Sequence, residues 1–168
     1  MDFQGARRNH NHTMDLGPFQ MDKYPVTRED FHTYLTQSNY TPQDKRQYLV
    51  GWTVNTNASA GSNSYSFPKG TGDLPVTSVS LKEARAYCAF YGKRLPQTYE
   101  WQLSAQGTDG RKYPWGNIDN TSNYPRAQHP KDAYVDPKWS GPSKVNAFSG
   151  TGKGDSIYGV SDLVGNVW

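Results

Sequence analysis

Apolar positions recur along this chain in short bursts, and only some bursts keep a period. The clearest lies between Pro75 and Trp101, in PVTSVSLKEARAYCAFYGKRLPQTYEW. Leu81, Ala84, Cys88 and Tyr91 recur at helical spacing, which predicts a helix with one apolar face. Ser80 and Glu83 form a capping box just ahead of it. Gly92 can adopt the left-handed conformation that ends a helix. Pro96 disfavours helical backbone at Leu95, so Lys93 to Pro96 is expected to be an extended link. Thr98 is a fair N-cap for a second helix carrying Trp101 and Leu103 and stopping before Gly107. Two short helices on a stiff link make a packing unit, not a catalytic motif.

Upstream, Phe19 to Tyr24 starts by alternating apolar and polar positions, which predicts a short half-buried strand stopped by Pro25. Thr27 and Asp30 resemble a second capping box. Phe31, Tyr34 and Leu35 give the face of a helix ending near Asn39. Thr41-Pro42 is expected to restart a short helix, from which Tyr48, Leu49 and Trp52 would pack. Residues 53–74 have no period and read as a long loop, either functional or variable surface.

Downstream, Asp109-Gly110 signals a turn, and Gly116 allows a bend beside Trp115. Residues 118–144 lack period. Such a segment folds around its own aromatics (Tyr124, Tyr134, Trp139) or around a cation. Asp119, Asp132, Asp136 and Asp155, with Asn120 and Asn123, offer the hard oxygens that calcium takes. Their spacing matches no EF-hand, so solvated turn residues are the competing reading. Val145 to Phe148 reads as a short strand. Residues 1–18 read as a poorly ordered lead-in, where His10 and His12 lack a third metal ligand. The last stretch, Tyr158 to Trp168, reads as cut within an element. Apolar surface is therefore expected around Leu163, Val167 and Trp168.

Composition narrows the class. The chain has 168 residues, enough for one domain with a core. Only 34% are hydrophobic and the mean hydropathy is -0.89, so the 12 Tyr, 5 Trp and 6 Phe must supply much of that core. With 16 Gly and 11 Pro, short elements and abundant loops are expected. The net charge is +3 and no basic run exceeds two residues, which argues against a nucleic-acid partner. No apolar stretch is long enough to span a membrane. The opening MDFQGARRNH lacks the apolar core of a signal peptide.

Cys88 is the single cysteine. It reads as a small core residue, as half of a disulfide to something outside this chain, or as a nucleophile, although nothing nearby in sequence would lower its pKa. Asn11, Asn39, Asn57 and Asn120 sit in Asn-x-Ser/Thr sequons, as in a secreted or luminal protein, though the composition alone also produces such matches.

Three segments, PVTSVSLKEARAYCAFYGKRLPQTYEWQ, YPWGN and YGVSDLVGNVW, occur in that order, with FQMDKYPVTRED as a weaker fourth. Together they resemble the formylglycine-generating enzyme family, the sulfatase-modifying factors, from about Phe19 to Trp168. The resemblance implies an α+β fold, a loop-rich C-type-lectin-like variant with short strands and few helices, of which residues 19–168 would be the N-terminal portion.

It also implies calcium. Asp162 and the Gly165 and Val167 carbonyls match one ion's ligands, with a glutamate that would follow Trp168. Asn123, the Tyr124 carbonyl, Asp136 and the Trp139 carbonyl match those of the other. The family oxidises a sulfatase cysteine to Cα-formylglycine with O₂ and copper(I), which a pair of thiolates holds. That pair lies downstream of the GNVW segment in the family and is not in this chain, so no catalytic residue is assigned here and the chain alone is expected to be inactive. Cys88 matches a structural family position. Gln97 and Thr98 stand where the family usually has Thr then Glu, and a poor cap at Gln97 would shift the helix start by one residue.

For a complete protein the implied partner is a C-x-P-x-R sulfatase segment. The implied compartment is the secretory pathway, in the endoplasmic reticulum lumen, or the extracellular space. The alternative is a non-catalytic lectin-like binding module on the same scaffold. A histidine site for iron is a third reading, but His10, His12, His32 and His129 are scattered.

Overall fold

The computed structural model describes residues 14–55, 65–118, 141–150 and 154–167. Helices α1 (Arg28–Ser38), α2 (Leu81–Phe90) and α3 (Thr98–Gln106) and strands β1 (Thr53–Val54) and β2 (Tyr65–Ser66) stand among long irregular segments. The architecture is α+β and loop-rich.

Helix α1 forms where its caps direct. The Thr27 hydroxyl accepts the Asp30 N–H at 3.1 Å, and the Asp30 carboxylate accepts the Thr27 N–H at 3.2 Å. Both donors are ones that a helix start leaves without a partner. The helix ends on Asn39 in the left-handed region, φ 52°. Phe31, Tyr34 and Leu35 are its buried face, as the spacing predicts.

Helix α2 starts at the Ser80–Glu83 capping box. It ends in a Schellman motif: the Gly92 N–H reaches the Ala89 carbonyl at 3.0 Å and the Lys93 N–H the Cys88 carbonyl at 2.8 Å. Its packing face differs from the expected one. Leu81 is 59% and Tyr91 40% exposed, while Glu83 is buried and Ala86 and Tyr87 pack on the core. The Tyr87 ring stacks on Phe31 at 5.6 Å and meets Tyr34 edge-on at 5.4 Å. Aromatic rings bury large areas, so these contacts set the roll of the helix.

Helix α3 begins one residue earlier than expected, with Gln97 and not Thr98 as N-cap. The Gln97 side chain makes no capping bond. Glu100 instead accepts the Gln97 N–H at 2.7 Å, which holds the start in place.

Other expectations are corrected. Phe19 to Tyr24 is not a strand. Pairing occurs just beyond Pro25, where Val76 N–H donates to Val26 O and Arg28 N–H to Leu74 O, each at 2.9 Å. No helix follows Pro42: the chain turns at residues 46–50, Leu49 adopts φ 48°, and its N–H leaves for the Ser78 carbonyl. Tyr48, Leu49 and Trp52 are nonetheless buried, as expected. The expected loop at 53–74 contains the β1–β2 pair, antiparallel with Thr53 opposite Ser66 and Val54 opposite Tyr65. Val145 to Phe148 is a turn, closed by Ala147 N–H to Lys144 O at 2.9 Å. The Asp109-Gly110 turn forms, with Gly110 at φ 72°.

Two apolar clusters result. The larger joins α1, the turn after it and β2 through Phe31, Tyr34, Leu35, Tyr48, Leu49, Trp52 and Tyr65. The smaller joins α3 to the C-terminal segment through Ala105, Val160 and Leu163, flanked by Met21 and Trp101. Leu163 is therefore only 8% exposed, against the expectation of apolar surface there, and Val167 is half-buried. Trp168 lies outside the described residues.

Candidate functional site

The C-terminal segment carries the densest polar network. Asp155 is buried, and its carboxylate accepts from the Ser161 hydroxyl at 2.5 Å, the Gly150 N–H at 2.9 Å and the Ser149 hydroxyl at 3.2 Å. Lys23 stands 3.9 Å away. These donors engage both oxygens, so Asp155 ties three stretches of chain together.

Seven residues on, the backbone bends sharply. Asp162, Gly165 and Asn166 all take positive φ, at 56°, 77° and 65°. Val167 N–H donates to the Gly165 carbonyl at 2.9 Å, closing a three-residue turn. Such backbone persists only when its surroundings hold it, and here Asn166 does so. Its side-chain oxygen accepts the Ser143 N–H at 2.8 Å, while its Nδ2 donates to the Ser143 carbonyl at 3.2 Å and to Asp162 Oδ2 at 2.9 Å. Asn166 is the organising residue that sequence reasoning passed over. The signal was the Gly-Asn pair, since asparagine tolerates left-handed backbone.

The Asp162 carboxyl is pushed up to about 6, chiefly by burial, with the Asn166 hydrogen bond opposing and the Asp155 charge adding. Among the described residues no cation pairs with it. A desolvated carboxylate is an oxygen donor of the type that calcium takes. Calcium takes six or more oxygens, more than Asp162, Gly165 and Val167 offer among themselves. Acidic, cysteine and histidine side chains alone build no metal group among the described residues.

Asn123, Tyr124, Asp136 and Trp139 lie outside the described residues, as do Asn11, Asn57, Asn120, Asp119, Asp132, His10, His12 and His129. Asn39 is exposed at the end of α1. His32 packs edge-on against Phe67 at 5.6 Å.

Cys88 is free and half-buried on α2. Burial pushes its thiol up and Asp22 adds to this, while Lys93 opposes. Lys93 is itself held by Asp22 at 2.7 Å. This is the environment of an inert thiol, not of a nucleophile.

Two adjacent cavities run along the 14–21 segment. One, of about 420 Å³, is lined by Met14, Leu16, Arg94, Tyr99 and Glu100. The other, of about 380 Å³, is lined by Leu16, Phe19, Met21, Leu103, Tyr158 and Val160. Neither includes Cys88 or Asp162.

Comparison with known proteins gives a consistent result. The profile of the sulfatase-modifying factor enzyme 1-like domain matches residues 2–168. The chain is 33% identical over 182 residues to the inactive C-alpha-formylglycine-generating enzyme 2 of Bos taurus, covering 90% of this chain and 58% of that protein. It is 28% identical to the formylglycine-generating enzyme of Thermomonospora curvata, covering 93% of this chain and 60% of that one. It is 27% identical to the hercynine oxygenase of Mycolicibacterium smegmatis, covering 94% and 37%. The chain thus spans between 37% and 60% of the length of these three relatives. A family match over nearly every residue, on an α+β chain carrying the GKRLP, WGN and GNVW segments, shows that this chain belongs to the sulfatase-modifying factor family.

Proposed function

We propose that residues 19–168 supply the N-terminal, C-type-lectin-like scaffold of a protein that oxidises a sulfatase cysteine to Cα-formylglycine. The redox centre lies outside these residues. The observation that carries this reading is the state of Cys88: one half-buried thiol, held protonated by burial, in a chain with no second cysteine. Copper(I) in this chemistry needs paired thiolates. The residues present do not fit it, and no step is derived through it.

The work of these residues is positional. Asp162 and the Gly165 and Val167 carbonyls would hold a calcium ion, which would supply positive charge to the half-buried carboxylate. Asn166 orients Asp162 and ties it to Ser143. The partner of the complete protein would be a C-x-P-x-R segment of a sulfatase. Its compartment would be oxidising, within the secretory pathway or outside the cell.

The test is direct. Purified 1–168, given a C-x-P-x-R peptide, copper and O₂, should yield no aldehyde by mass spectrometry. Conversion by this chain alone would overturn the assignment.

A second reading is a non-catalytic binding module. Its support is that the inactive enzyme 2 proteins of Bos taurus and Mus musculus are 33% and 32% identical to this chain, against 28% for the Thermomonospora curvata enzyme. The natural protein carrying this chain, expressed whole, decides: peptide binding without aldehyde selects the module.

A further inference from the structure

Residues 14–22 belong to no helix or strand, and among the described residues none of their backbone N–H or C=O groups makes a hydrogen bond. Lys23 is the first that does, its carbonyl accepting from the Ser161 N–H at 2.8 Å. The stretch nonetheless keeps the side-chain alternation of a strand. Phe19 and Met21 are half-buried, Gln20 and Asp22 are exposed, and none of the four has a positive φ. Met21 packs against the cluster of Ala105, Val160 and Leu163. Unpaired backbone with alternating side chains is a template for a further strand. The cleft of about 380 Å³ beside Phe19 and Met21 is lined by no charged residue. Tyr158, on its wall, is 54% exposed, and Ile157 next to it is 50% exposed. Protein interiors are close-packed, so such a cleft calls for apolar side chains from elsewhere. An arginine-bearing peptide would meet no carboxylate there.

We propose that residues 19–22 are an open β edge on which an apolar segment of the full-length protein, from outside residues 1–168, adds as a strand and fills this cleft. Length selects that occupant. The chain covers 58% of the Bos taurus relative and 60% of the Thermomonospora curvata one, so each of those proteins has a large part that no residue here matches. The added strand supplies the backbone partners that residues 19–22 lack. Its inward side chains meet Phe19, Met21, Leu103 and Tyr158, and its outward ones share the polar side with Gln20 and Asp22. The edge thereby joins the helical part of the protein to the part that follows from elsewhere in the sequence. The inference rests on the family match and the open edge, and holds for an oxidase and a binding module alike.

The natural protein carrying this chain, expressed whole, tests it in two ways. In hydrogen–deuterium exchange, alternate amides within residues 19–22 should exchange about a hundredfold or more slower than the exposed turn amides of Lys69 and Gly70, as paired backbone does. Tyr158→p-benzoylphenylalanine replaces one exposed aromatic ring with another on the wall of the cleft, and circular dichroism shows that the variant has folded. Under light it should cross-link to a segment of the same chain outside residues 1–168, in a product of monomer mass. Free exchange of all four amides overturns the proposal. So do cross-links confined to a second copy or to residues 1–168, and so does the absence of any cross-link.

Discussion

Arg94 holds Glu100 through two parallel hydrogen bonds, Nη1 to Oε2 and Nη2 to Oε1, each 2.6 Å long. The same carboxylate accepts the Gln97 N–H, so one side chain joins the link before α3 to the first turn of that helix. The Arg94 bonds, and then the Gln97 N–H, hold the Glu100 carboxyl down at about 2 against an ordinary 4.5. A carboxyl depressed in the fold stabilises fully above its unfolded value and loses that contribution as pH falls towards its folded value. Glu100→Gln should therefore lower the melting temperature at neutral pH. It should also flatten the decline between pH 4.5 and about 2. Equal slopes for parent and variant in a pH series of thermal melts would show that the pair does not stabilise the protein.

Gln97 occupies an N-cap without capping it. A serine there can accept a backbone N–H of the first turn. Gln97→Ser should raise stability by about 1 kcal/mol. Ser80→Ala, which removes a working cap, should lower it by a similar amount, about 1 kcal/mol. Urea denaturation of the three proteins side by side gives both differences.

Gly107 ends α3 at φ 63° and ψ -153°, and a Cβ there would stand 2.6 Å from Ile157 Cδ1. Gly107→Ala should cost about 1–3 kcal/mol through backbone strain. Ile157→Ala removes the contact but not the strain, so most of the loss should persist in the double variant. Full recovery there would mean that the clash alone was responsible.

Tyr48 is buried, and its hydroxyl has no hydrogen-bond partner among the described residues. An unmet buried donor is costly, so Tyr48→Phe should be neutral or stabilise by about 1 kcal/mol. The ring contact with Tyr65, at 5.3 Å, is retained. A clear destabilisation on chemical denaturation would reveal a partner for the hydroxyl.

Asp162 reverses the sign found at Glu100. Its carboxyl is raised from 3.8 to about 6, so in a chelator it costs nothing below pH 3.8 and its penalty grows until about pH 6. Asp162→Asn keeps a residue suited to φ 56°. With chelator it should melt higher than the parent above pH 6 and much like it near pH 3.8. If the turn holds calcium, added calcium should raise the melting temperature of the parent and leave the variant unmoved. Equal calcium responses would remove Asp162 from the ligand set.

Local signals were legible in particular places. Thr27 with Asp30 and Ser80 with Glu83 predict two helix starts because a cap acts within one turn, and Gly92 and Asn39 mark two ends for the same reason. The buried set Phe31, Tyr34 and Leu35 follows from spacing alone. The failures have a different origin. Leu81, Ala84, Cys88 and Tyr91 keep a good helical period, yet α2 presents Ala86 and Tyr87 because Phe31 and Tyr34 wait on α1. Phe19 to Tyr24 alternates without a neighbouring strand to pair with, since the pairing falls at Val26 and Arg28. In the candidate site, Asp162 was legible as an oxygen donor, but its burial beside Asp155 and its tether to Ser143 were not.

By itself the sequence determined the starts and stops of α1 and α2, the aromatic character of the core, the family, and the lack of a thiolate pair within these residues. Each is a matter of residue type or of neighbours within one helical turn. Tertiary structure decided which face of α2 is buried, that α3 starts at Gln97 with Glu100 holding its N–H, and that Asn166 reaches 23 residues back to Ser143 while holding Asp162. Those outcomes depend on groups distant in sequence competing for the same space and the same hydrogen bonds, and a linear pattern carries no record of which competitor stands opposite.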